Sequence, residues 1–107
     1  MYTVKIMLDY CHGPIWVCDE KGLYCRYSLI DDDIYLEELN EEGRKLYDSF
    51  YSFNTPNAAC EFSYEKEKAN KDKMLSIIQK ILKRLNEIND GSFVIEDYET
   101  KHLENLK

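Results

Sequence analysis

Two prolines and four glycines in 107 residues leave little material for linkers, so the chain reads as one domain over residues 1–107. No stretch approaches the ~20 consecutive apolar residues that a membrane-crossing helix needs. Basic residues are in deficit: 14 Lys and Arg stand against 21 Asp and Glu, a formal net charge of -7. Nucleic acid and anionic membranes are recognised by clustered Lys and Arg, so this balance argues against both and points to a basic partner. There is no Gly-rich phosphate loop, dinucleotide fingerprint or Ca²⁺ loop, and Asp31-Asp32-Asp33 lacks the alternating spacing and the Gly of the last. Nothing singles out two carboxylates as an acid/base couple. No cofactor, metal or catalytic residue is therefore expected, which favours a binding protein over an enzyme. Met1 to Ile6 shows neither a charged leader nor an apolar segment with a cleavage site, and the expected location is the cytoplasm, with the cysteines as free thiols.

What is present is a folding pattern. Hydrophobic residues make up 44% and charged residues 33% of the chain, a globular composition long enough to bury a core without disulfides. Met74, Ile77, Ile78, Ile81, Leu82, Leu85 and Ile88 recur at helical steps, one apolar stripe opposite Gln79, Lys80, Lys83, Arg84 and Glu87. Burial of each such side chain contributes about 1.5–3 kcal/mol, so this helix needs a surface to cover. Val4, Ile6 and Leu8 alternate with Thr3, Lys5 and Met7 as in a half-buried strand. Ile15 to Cys18 and Leu23 to Tyr27 flank Asp19-Glu20-Lys21-Gly22, a type I turn with Gly22 left-handed, which predicts a three-stranded antiparallel meander.

Asp31, Asp32 and Asp33 suit the N-terminus of a first helix carrying Tyr35, Leu39, Leu46, Phe50 and Phe53, with Gly43 allowing a close approach. That helix is expected to end near Asn54-Thr55-Pro56-Asn57, and Ala58 to Phe62 reads as loop. Ser63 caps a second helix whose polar start, Glu65 to Lys73, projects beyond the core. Gly91 stops it, Ser92 to Glu96 forms a fourth strand, and Tyr98 to Leu106 a short helix or frayed tail. The predicted fold is α+β: an antiparallel sheet of about four strands, in the order β-β-β-α-α-β, with two amphipathic helices packed on one face.

Cys11, His12, Cys18 and Cys25 are not spaced as zinc ligands, and ordinary packing outweighs metal binding. Adjacent Cys11 and His12 point apart on an extended chain, a poor nucleophile and base. Charge is the stronger signal. From Asp31 to Glu42 the chain has no basic residue, whereas Lys66, Lys68, Lys71 and Lys73 gather at the start of the second helix. Nine tyrosines and one tryptophan add amphipathic contact area of the kind enriched at binding hot spots. Tyr27, Tyr47 and Tyr98 fall where packing uses them; for Trp16, Tyr24, Tyr35 and Tyr51 core and surface both stay open.

The run Val4-Lys5-Ile6-Met7-Leu8-Asp9-Tyr10-Cys11-His12-Gly13-Pro14-Ile15-Trp16, followed by Asp19-Glu20-Lys21-Gly22, resembles the start of small immunity proteins of bacterial polymorphic and contact-dependent growth inhibition toxin systems. There a strand ending in an acidic or aromatic residue, a short turn, Pro-apolar-Trp and a tight turn recur. A first helix ending in Leu46-Tyr47-Asp48-Ser49-Phe50 and a Phe62-Ser63 lead into a long second helix follow the same layout, so the resemblance touches most of the chain. It implies a non-enzymatic antidote that binds the C-terminal domain of a cognate toxin and blocks its active site. Such toxins are often nucleases, whose sites are basic because they hold phosphates, and an acidic face can occlude them and steer a fast encounter. The expected partner-binding residues are Asp31, Asp32, Asp33, Glu37, Glu38, Glu41 and Glu42, with Trp16 as aromatic anchor. The alternative from another class is a regulatory adaptor for a basic peptide or protein; a third is a small hydrolase or thiol enzyme using Cys11 or His12.

Overall fold

A computed structural model describes residues 1–52 and 61–106. In chain order its elements are β1 (Tyr2–Ile6), β2 (Ile15–Cys18), α1 (Ser28–Asp31), α2 (Ile34–Asp48), β3 (Tyr51–Ser52), β4 (Glu61–Phe62), α3 (Tyr64–Ala69), α4 (Lys71–Ile88), β5 (Phe93–Asp97) and α5 (Thr100–Glu104). The class is mixed α and β, as expected, but the sheet differs from the antiparallel one the sequence suggests. β1 lies at the centre, antiparallel to β2 and parallel to β5, while β3 and β4 pair as a separate two-stranded ribbon. Side-chain alternation reports which face of a strand is buried and carries no information on strand direction.

The register places Val4 opposite Val17 and Ile95, and Ile6 opposite Ile15, so one face of the sheet is apolar. That face joins the α4 stripe in a single core. Met74, Ile77, Ile78, Ile81 and Leu85 are buried as predicted, and Leu82 and Ile88 pack partly buried at its margin. Phe93, Phe50 and Leu103 complete it. In the first long helix the buried row is Leu36, Leu39 and Gly43, and Tyr35 points outward because it sits one residue out of phase with that row. Gly43 does permit a close approach: a Cβ there would lie 2.9 Å from Pro14 Cγ.

Further expectations need correction. Gly22 takes the left-handed conformation (φ 82°) and closes the turn, yet Leu23 to Tyr27 is not a strand. Only an isolated Cys18–Tyr24 bridge forms, because Asp31 Oδ2 accepts the Tyr27 N–H at 2.7 Å and turns the chain into α1. The first long helix ends at Asp48, and Tyr51–Ser52 leaves it to pair with Glu61–Phe62, residues read as loop. Phe53, the turn cluster Asn54 to Asn57 and Ala58 to Cys60 lie outside the described residues. The second long helix is broken at Asn70 into α3 and α4, with Ser63 capping α3 through Lys66 N–H. Nor is its polar start wholly projecting: Glu67 is buried, 3.3 Å from His102 Nε2 on α5. Tyr98, expected in the core, is 53% exposed and donates its hydroxyl to Glu96.

Candidate functional site

The outer edge of β2 does not end in bare backbone. Ile15 N–H donates to Asn40 Oδ1 on α2 at 2.8 Å, and Val17 O accepts from Cys25 N–H at 3.0 Å. Between this edge, the chain beyond the turn and the helices lies a cleft of about 520 Å³. Its floor is apolar, from Ile15, Val17, Ile30 and Leu36. One wall is aromatic. Trp16 donates its indole N–H to Met7 O at 3.0 Å, His12 stacks on it at a centroid distance of 3.5 Å, and Tyr24 tilts against it at 5.0 Å. His12 is held in turn by its Nδ1, 2.5 Å from Gly13 O. Asp31 and Glu37 also line the cleft.

Trp16, Asp31 and Glu37, which sequence reasoning placed in separate segments, thus meet at one cleft. Glu37 also lines a shallow depression along α2 with Glu38, Glu41 and Glu42, beside Lys45 and an Ile34 that is 70% exposed. Among the described residues Asp32, Glu37, Glu38 and Glu42 form no ion pair, so their charge is available to a partner.

Asp33 and Glu41 are employed differently. Asp33 accepts Leu36 N–H at 2.9 Å as the N-cap of α2, and its other oxygen accepts Arg84 Nη2 of α4 at 2.7 Å. Burial would raise its carboxyl, but the hydrogen bonds from Arg84 and Leu36 outweigh that and hold it below the ordinary carboxylate range. It is a fastening between two helices and does not belong to the free acidic face. Glu41 is paired with Arg44 on its own helix, and that bond lowers its carboxyl as well.

Sequence reasoning missed Asn40 and Ile34, considered His12 as a base or metal ligand, and left Tyr24 and Tyr35 open between core and surface. A signal existed for Ile34: an apolar residue out of phase with Leu36 and Leu39, flanked by carboxylates, has nowhere to go but the surface. Asn40 carried no signal, since its role depends on a strand edge far away in sequence. Gly13 is the complement of Asn40. A Cβ there would overlap the Asn40 side-chain amide, so Gly13→Ala is expected to displace the group that closes the β2 edge and to cost about 1–3 kcal/mol, read from urea denaturation.

Cys11, with φ 61°, is exposed and its N–H donates to Asp48 Oδ1 at 2.8 Å; Cys18 is buried and Cys25 half-buried, all three as free thiols. Among the described residues no three His, Cys, Asp or Glu side chains converge as metal ligands, and no helix is long and apolar enough to cross a membrane.

The fold and site define an acidic α+β domain with a cleft lined by aromatic and anionic side chains. No protein-family model, curated protein or solved structure matches the chain.

Proposed function

We propose that the chain is an immunity-type antidote, a non-enzymatic protein that binds the basic domain of a cognate toxin, a nuclease by the charge argument, and covers its active site in the cytoplasm. The observation that carries the reading is the continuity of the cleft with the α2 ridge. Glu37 lines both: in the cleft it joins Asp31 and the exposed Tyr24, and on the ridge it joins Glu38 and Glu42 beside the exposed Ile34. Such a surface joins a desolvating anchor to a field that attracts a phosphate-binding site. The resemblance of Val4 to Trp16 to immunity proteins supports the same reading independently of charge.

Growth rescue tests it. The toxin domain encoded beside this gene is expressed with the native chain, or with a variant carrying Asp32→Asn, Glu37→Gln, Glu38→Gln and Glu42→Gln. Asp33 and Glu41 are left intact because their charges serve the fold. The native chain is expected to restore growth. At about 0.5–1 kcal/mol per rim charge, the variant is expected to bind on the order of a hundredfold more weakly with its unfolding midpoint unchanged, and with the larger loss in association rate at low salt. Absence of rescue and of any complex with the native chain would remove the antidote and promote the adaptor for a basic peptide.

A further inference from the structure

The cleft admits a more specific reading, which rests on the proposal that this face receives a basic partner. We infer that it is the socket for one arginine side chain of the partner protein, with the guanidinium between the Trp16 and Tyr24 wall and the carboxylates of Asp31 and Glu37.

The charge of the site is one-sided. Its lining includes Asp31 and Glu37, no Lys or Arg, and a single histidine, His12, whose ring is stacked on Trp16. Asp31 spends Oδ2 on the Tyr27 N–H, which orients the carboxylate and leaves Oδ1 to accept. Glu37 makes no ion pair. Trp16 is already immobilised by the indole bond to Met7 and the His12 stack, so little of its side-chain freedom remains to be lost on binding. Below it, Ile15, Ile30 and Leu36 offer an apolar floor to the methylene stem of a long side chain. A planar, weakly hydrated fork uses an aromatic face and two separate carboxylates together, whereas an ammonium is a strongly hydrated point charge. An anionic group would face Asp31 and Glu37 and be repelled.

Trp16 is the only tryptophan, so the fluorescence of the intact chain reports on this wall. The probes are the N-acetyl amides of arginine, lysine and citrulline at low salt, citrulline being the uncharged isostere of arginine. Arginine amide is expected to give a saturable change, lysine amide to bind about tenfold more weakly, and citrulline amide to give none. Glu37→Gln, an exposed change on the helix surface, is expected to weaken arginine amide about tenfold. Asp31→Asn, which keeps an acceptor for Tyr27, should add to that loss. No saturable change with arginine amide, equal responses to arginine and lysine or citrulline, or an unaffected Glu37→Gln chain would each overturn the inference. Growth rescue separates the two proposals: rescue without arginine capture retains the antidote and discards the socket, while capture without rescue retains the socket and discards the antidote.

Discussion

Ile78→Ala is expected to destabilise the protein by about 2–5 kcal/mol, the range for truncating a fully buried aliphatic side chain whose cavity only partly collapses. Ile78 has no exposed surface, lies midway along α4, and belongs to the row shared by that helix and the sheet. For a domain of ordinary stability, about 5–15 kcal/mol, such a loss takes a large fraction of the whole. The readout is the urea midpoint with the denaturant slope unchanged. Leu82→Ala, on the same helix but only partly buried, is the control and is expected to lose distinctly less.

Asp33→Ala has the second largest expected effect. It removes the α2 cap, worth about 0.5–2 kcal/mol, and leaves Arg84 without the carboxylate that holds it. A combined loss of about 2–3 kcal/mol is expected, below the sum of the separate terms because Arg84 is a third exposed and regains water. Asp33→Asn keeps a capping oxygen and should lose less. In the Asp33→Asn, Arg84→Met double variant part of the loss should return, because no unpaired guanidinium is then left against α2. The pH dependence has a definite sign. A carboxyl held below its ordinary value contributes fully above the unfolded range of about 4, and that contribution disappears as pH falls through the lower folded value. Acid unfolding of the native chain should therefore be steeper than that of Asp33→Asn. A toxin-binding defect in Asp33→Ala would follow from loosening of the helices, since this residue does not face the cleft.

Much of the core was legible in the sequence because burial on a helix or strand repeats with the period of the backbone. The α4 stripe from Met74 to Leu85, the alternation of Val4 and Ile6, the turn at Gly22, the cap at Ser63 and a cap within Asp31 to Asp33 all follow from local geometry, and each is found where the residues indicate. The parallel placement of β5, the break at Asn70 and the diversion of Leu23 to Tyr27 from the sheet were not legible. The placement of β5 turns on a partner distant in sequence, and the diversion on a side-chain bond competing with the ladder, as when Asp31 captures the Tyr27 N–H.

The acidic segment shows the same division. By itself the sequence determined that Asp31 to Glu42 is anionic, since charge is a property of composition. Only the tertiary structure decided which of those charges are free. Asp33 is spent on α4 and Glu41 on Arg44, while Asp31 and Glu37 are brought to the same cleft as Trp16 and Tyr24. Which carboxylate meets a cation and which lines the aromatic cleft is settled by the packing of α2 against α4 and β2, contacts between residues that no local pattern links.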